Sequence, residues 1–205
     1  MSTLLRIDSS SRTEGSHSRA LGDALQVQWL AHHEGGTVVA RDLVKTPVPH
    51  IANLTIAGFF TPVEHQTPEI KAAIAFSDEL VAEILAADEI LVTLPMYNFG
   101  IPSALKAYID HVSRNGKTFS VGPAGYKGLL NGKKTYIASS YGGAGYIGGQ
   151  MAEYNFVEPY LRTVLGFLGL TDITFFSVEG SNGDPEKFAL AKENAHAAIS
   201  TAFGA

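Results

Sequence analysis

The sequence predicts an α/β domain in which helices cover both faces of a parallel sheet. Strand-like apolar runs alternate with helix-period segments along the whole chain. The central run, Ile90-Leu91-Val92 with Leu94, is nearly continuous, as in a strand buried on both faces. The 205 residues, 45% hydrophobic and 17% charged, suffice for one sizeable core. The expected organisation is one domain over residues 1–205.

Thr3 to Asp8 reads as the first strand, although Arg6 and Asp8 interrupt its apolar run. A hydroxyl-rich loop follows, Ser9-Ser10-Ser11 through Ser16-His17-Ser18, and Leu21, Leu25 and Trp29 then carry helical spacing to about His32. Ser16 or Ser18 is the expected N-cap. Hydroxyls and free N–H groups at a helix N-terminus directly after a strand make a phosphate site, because the helix dipole favours an anion there. The plain alternative is a Ser-rich turn that only caps the helix. Arg12 or Arg19 could add charge to the site.

Thr37 to Leu43 is strand-like after the Gly35-Gly36 break. The segment from about Lys45 to Thr67 holds apolar residues without a clear period, which reads either as a lid or partner surface or as a short helix over the core. Thr67-Pro68 starts a helix carrying Ile70, Ile74, Leu80, Val81 and Ile84. The central strand then ends at Pro95, and Met96-Tyr97-Asn98-Phe99-Gly100 leads to a helix expected over 102–114 with Pro102 near its first turn. Consecutive N–H groups, an amide and two aromatic rings at a strand's carboxyl end suit a flat heteroaromatic ring; they also suit an ordinary loop covering the sheet edge.

Gly116 to Asn131 reads as a loop, Lys133 to Ser139 as the fourth strand, 153–168 as a helix kinked or begun late at Pro159, Thr171 to Val178 as the fifth strand, and Asp184-Pro185 as the start of the last helix. Gly143, Gly145 and Gly148 match a dinucleotide G-x-G-x-x-G after a strand. The match is weak, because that fingerprint belongs to the first strand of its fold and opens a helix directly. Neither Gly116-Lys117 nor Gly132-Lys133 has the earlier glycine of a P-loop.

Composition narrows the partners. A net charge of −5 without a basic run lacks the footprint of a nucleic-acid binder. No apolar stretch reaches the length of a bilayer span, and no basic-then-apolar leader is visible, so a cytoplasmic protein without membrane partners is expected. The chain has no cysteine, which removes thiolate chemistry and Cys-bound metals; redox work would need a bound organic cofactor. The histidines show no ligand spacing, and no metal site is expected.

Five parallel strands in the flavodoxin-like order 2-1-3-4-5 reverse direction between the first and third strands, and FMN sits at that switch point in such sheets. The two loops singled out above leave those two strands. Ser9-Ser10, Ser16-His17-Ser18, Pro95-Met96-Tyr97-Asn98-Phe99 and Ser140-Tyr141-Gly142-Gly143 together resemble the FMN-dependent NADH:azoreductases, which are also quinone reductases. Arg41-Asp42-Leu43, Ser77-Asp78-Glu79-Leu80 and Gly166-Phe167-Leu168-Gly169 extend the resemblance over nearly the whole chain. It implies FMN with its phosphate on Ser10, Ser16, His17 and Ser18 and its ring on Met96, Tyr97, Asn98, Phe99, Ser140, Tyr141, Gly142 and Gly143. It further implies ping-pong transfer of two electrons from NADH or NADPH to a quinone or azo compound, with no catalytic side chain. Two departures matter: His17 stands where glutamine is common, and Tyr141 where arginine is common; the second bears on substrate or nicotinamide preference. A flavodoxin-type electron carrier is the competing expectation. The apolar side chains of 45–67 and of the loop with Phe119 and Tyr126, with the resemblance, point to a homodimer sharing its sites.

Overall fold

Helix α1 (His17–His32) lies against a five-stranded sheet so closely that its Gly22 has no room for a side chain: a Cβ there would sit 2.5 Å from the Thr93 methyl. The computed structural model describes residues 1–204. The main sheet is built from β1 (Thr3–Asp8), β2 (Thr37–Asp42), β3 (Glu89–Pro95), β6 (Lys134–Ser140) and β7 (Ile173–Val178), in the order β2-β1-β3-β6-β7, all neighbours parallel. This is the expected order with two strands renumbered, because an antiparallel hairpin, β4 (Phe119–Gly122) and β5 (Gly125–Gly128), occupies the segment expected to be a loop.

Side chains alternate between two cores, as the period of two along a strand requires. Leu4, Leu91, Tyr136, Ala138, Phe176 and Val178 face α1 and α6 (Pro185–Phe203). Leu5, Ile7, Ile90, Val92, Leu94 and Ile137 face the other layer: α3 (Pro68–Ala86), α4 (Ser103–Val112) and α5 (Glu158–Leu168). The helix starts follow capping chemistry: Ser16, Thr67 and Asp184 each accept backbone N–H bonds with their side chains. Helix α4 begins one residue later than expected, with Pro102 as its cap. Helix α5 takes the late start, at Glu158 with Pro159 in its first turn, because Asn155 Oδ1 accepts from the N–H groups of Val157 and Glu158 and fixes the entry there.

The 45–67 segment holds α2 (Asn53–Phe60) and a 3₁₀ turn (Val63–His65), so a short helix fills it. It is fastened to α4 and the residues just after it: the Phe59 ring lies 4.1 Å below the Arg114 guanidinium, and buried His111 places Nε2 2.9 Å from the Pro49 carbonyl. Its outer face keeps Leu54, Ile56, Phe60 and Val63 exposed. Among the described residues, no helix is long and apolar enough to cross a membrane.

Candidate active site

The loops after β1 and β3 meet at the carboxyl end of the sheet, where the strand order reverses. The first loop is anchored in the sheet. Ser9 donates both its N–H and its hydroxyl to the Thr93 carbonyl. Thr93 Oγ1 donates to Asp8 at 2.7 Å, and Asp8 also receives Arg6 Nε at 3.1 Å. Arg19, from the first turn of α1, reaches back with a two-pronged pair to Asp42 at 2.7 and 3.0 Å and donates to the Ser10 carbonyl at 2.9 Å. That pair holds the Asp42 carboxyl down to about pKa 2, helped by the N–H groups of Val44 and Lys45. Arg19 is thereby committed to bracing the loop. Arg12 lines this end of the cleft and, among the described residues, makes no ion pair.

A cleft of ≈ 210 Å³ opens between the loops. Seven of the expected site residues line it: Ser10, Ser16, His17, Met96, Tyr97, Ser140 and Gly142. At the start of α1, Ser16 Oγ accepts the Arg19 N–H and the Ser16 carbonyl accepts the Ala20 N–H. Among the described residues, the N–H groups of His17 and Ser18 are left without a protein acceptor, the opening an anion fills. Ser18 itself is fully buried, its Oγ 3.3 Å from Ser16 Oγ, and it does not line the cleft. Burial lowers the His17 pKa, and the charges of Lys192 and Arg12 lower it further. The His17 ring stands edge-on to Phe188 at 4.7 Å.

The loop after β3 makes a tight turn. Tyr97 and Gly100 exchange N–H···O bonds of 2.9 and 3.0 Å, and Asn98 and Phe99 between them have φ of 48° and 68°. Positive φ at both central residues is the signature of a type I′ turn. Asparagine tolerates that region; phenylalanine rarely adopts it, and strain of this kind persists only where the surroundings enforce it. The turn leaves the Asn98 and Phe99 N–H groups without protein acceptors among the described residues and exposes the Asn98 amide. Tyr97 Oη, in turn, accepts the Ser11 N–H at 3.3 Å, joining the two loops. Met96 and Tyr97 also border a larger cleft of ≈ 1060 Å³, whose far wall is Phe156, Pro159 and Tyr160; Asn98 lines this larger cleft and not the smaller one.

The loop after β6 places its residues unevenly. The Tyr141 ring is fully buried and stacked on Tyr146 at 5.7 Å, so only its backbone is near the cleft. Burial pushes its phenol pKa up. Gly143 lines a neighbouring groove rather than the ≈ 210 Å³ cleft, and Phe99 turns its ring towards Tyr146 and Tyr154. The weak glycine fingerprint has a structural use: Glu179 Oε1 accepts the Tyr146 and Ile147 N–H groups at 2.7 and 3.1 Å and closes the loop on the protein itself.

Ser181 and Asn182, after β7, also line the cleft and were not expected there. A Cβ on Gly142 would meet Asn182 Nδ2 at 2.6 Å, so glycine is what lets the two loops close together. The available signal was position: Gly180-Ser181-Asn182-Gly183 leaves the carboxyl end of a parallel strand, as the other site loops do.

Comparison with known proteins agrees with this geometry. A family model described as the flavodoxin-like fold matches residues 2–202. The chain is 53% identical over 174 residues to an FMN-dependent NADH:quinone oxidoreductase of Xanthobacter autotrophicus, covering 84% of each chain. It is 46% identical over 184 residues to one of Hydrogenovibrio crunogenus, covering 90% of this chain and 91% of the relative. Among solved structures, an azoreductase from Bacillus anthracis superposes with a TM-score of 0.91 at 29% identity, covering 99% of both chains.

Proposed function

Because the chain belongs to the flavodoxin-like family that includes the FMN-dependent NADH:quinone oxidoreductases, we propose that it is such an enzyme, reducing quinones and azo compounds with electrons from NADH or NADPH. One observation carries the reading: a cleft that starts at the hydroxyl-rich N-terminus of α1, lined by Ser10, Ser16 and His17, and meets at Met96 and Tyr97 a second cleft of ≈ 1060 Å³ bordered by the Asn98 amide.

The residues fit FMN. His17 would offer its N–H to a terminal phosphate at the positive end of α1, with the Ser10 hydroxyl and Arg12 beside it and Ser18 buried behind. Asn98 and the N–H groups of its turn suit the acceptor-rich edge of the ring, and Met96 and Tyr97 lie along its length. Bound FMN supplies the two-electron chemistry between a nicotinamide and a quinone or azo acceptor. The chain supplies the rest. Its three loops fix the cofactor at the sheet edge, and the larger cleft, walled by Met96, Ile101, Phe156 and Tyr160, excludes water from a flat substrate. Donor and acceptor use that cleft in turn, which is a ping-pong scheme. No side chain there is a named proton donor. A one-electron carrier would have no use for a cleft of ≈ 1060 Å³, which favours the enzyme over the carrier.

The active unit we propose is a cytoplasmic homodimer of single-domain chains. Phe60, Val63, Tyr126 and Phe156 are 75%, 73%, 70% and 59% exposed, more apolar surface than a monomer usually leaves around a site. A two-fold interface covers such a patch and roofs the cleft. The test is reconstitution with FMN followed by steady-state quinone reduction with NADH and quinone varied together, alongside sedimentation of the active sample. Bound FMN, parallel double-reciprocal lines and a dimer are expected. Failure to retain FMN overturns the function, intersecting lines the ping-pong order, and a fully active monomer the shared site.

A further inference from the structure

The Asn98-Phe99 turn is strained, yet its own two hydrogen bonds do not explain why it stays so. Phe99 is held from outside at three points. Its carbonyl accepts the Phe156 N–H at 3.1 Å. Its ring packs on Tyr154 at 5.8 Å and on Tyr146 at 6.5 Å between centroids. All three contacts come from the strap 146–156, which links the loop after β6 to α5.

The strap is itself fixed in the core. Tyr146 stacks on fully buried Tyr141 at 5.7 Å and donates its N–H to Glu179 at 2.7 Å. Asn155, buried, donates Nδ2 to the Tyr146 carbonyl at 3.3 Å while its Oδ1 receives the first N–H groups of α5. A contiguous path therefore runs from β7 and α5 through Tyr146 and Tyr154 to the one turn that carries Asn98.

We infer that Tyr146 and Tyr154 are positioning residues: they clamp Phe99 in its left-handed conformation and so fix the Asn98 amide and the adjacent N–H groups against the cofactor ring. The inference rests on the proposed FMN site and adds to it residues outside both clefts. A free chain would relax Phe99 to negative φ, swinging Asn98 and breaking the Tyr97–Gly100 pair. With the clamp in place the turn is ready before the cofactor arrives, so none of the binding energy is spent on ordering it.

The test compares Tyr146→Ala and Tyr154→Ala with Tyr146→Phe and Tyr154→Phe in the full chain, titrated with FMN and with riboflavin, which lacks the phosphate. An aromatic pair contributes about 0.5–1.5 kcal/mol, so each alanine variant is expected to weaken both ligands roughly 2- to 12-fold. The phenylalanine variants, which keep the ring, stay within about 2-fold of wild type. The flavin absorbance bands and midpoint potential shift in the alanine variants and return in the phenylalanine ones. Combined with Asn98→Ala, the alanine changes cost less than they do alone, because the amide is gone and only the N–H groups of the turn remain to be positioned.

If an alanine variant does not fold, Phe99→Ala and Phe99→Gly replace it: both lose the clamped ring, but glycine takes the positive φ without strain, so Phe99→Ala should weaken both ligands more than Phe99→Gly does, and equal losses overturn the clamp. Wild-type protein that binds neither ligand removes the FMN reading itself. Wild type that binds, with alanine variants matching its affinity and spectrum or with effects fully additive to Asn98→Ala, overturns the clamp alone.

Discussion

The two ends of the cleft are built in opposite ways. The phosphate end is braced by charge: Arg6, Asp8, Arg19 and Asp42 interlock beneath the loop after β1, and Thr93 joins them to the central strand. At the ring end no ion pair is found among the described residues, and a turn with φ of 48° and 68° is propped by aromatic rings. Charge networks hold a loop by enthalpy that pH and neutralising substitutions remove, whereas ring packing holds by shape that only a change of side-chain volume removes. The two ends should therefore fail separately.

The sharpest way to break this contrast is Asp42→Asn. The pair with Arg19 is mostly buried, with side chains 12% and 13% exposed, and losing one partner of such a pair costs about 3 kcal/mol. The variant is expected to melt lower and to lose FMN affinity with riboflavin affinity nearly unchanged. Acid should do the same to wild type. The folded pKa of Asp42 is depressed from 3.8 to about 2, so its contribution is present above 3.8 and lost as pH falls from there towards 2. Denaturant titrations across that range check it; a wild type and Asp42→Asn that lose stability in parallel would show that Asp42 is not the group responsible.

A smaller effect sharpens the comparison from the ring side. Asn98→Ala removes one hydrogen bond to the ring edge, worth about 1 kcal/mol between oxidised and reduced cofactor, or roughly 20 mV for two electrons. Ser10→Ala removes one of several phosphate contacts and should leave the potential in place while weakening FMN. Midpoint potentials of the two variants decide it, and a larger shift for Ser10→Ala would exchange the roles of the two ends.

The same contrast explains what could be read in the sequence. The phosphate end is local: a strand, a run of serines and a helix start lie within residues 3–18, and capping chemistry alone narrows the cap to Ser16 or Ser18, of which the structure uses Ser16. The direction of Arg19 is not local, because its acceptors come from β2 and from β1. Asn98 was legible as the polar residue after the buried strand Ile90–Leu94. The positive φ of Phe99 was not, since the rings that enforce it lie about fifty residues on, in a segment whose glycines resemble a different motif. The β4–β5 hairpin escaped for another reason: its strands are four residues each, Phe119-Ser120-Val121-Gly122 against Gly125-Tyr126-Lys127-Gly128, too short and too glycine-rich to show alternation. Tyr141 follows the buried strand Lys134–Ser140 directly, and whether such a residue continues the core or turns into the cleft depends on Tyr146 filling the space beside it.

The smallest predicted effect concerns His17, where the two kinds of construction meet. The ring is partly buried against Phe188, and burial, then Lys192 and Arg12, hold its pKa below 6.5. Without cofactor the sign follows directly. The unfolded chain protonates His17 near 6.5 and the folded one only below that, so the apoprotein keeps this contribution above 6.5 and loses it as pH falls through 6.5. A phosphate dianion reverses the local field, favouring the imidazolium, so FMN binding takes up a proton there and tightens as pH falls. The ligand's own second phosphate pKa, near 6, acts in the opposite direction but equally in any variant. His17→Gln keeps the helix start and removes the titration. The ratio of its FMN dissociation constant to that of wild type should rise by up to about 5-fold between about pH 8 and about pH 5.5, the range of a partly exposed ion pair. Riboflavin should show no such rise. A flat ratio with FMN would mean that His17 serves the phosphate through its backbone N–H alone, and that charge at this end of the cleft comes from Arg12.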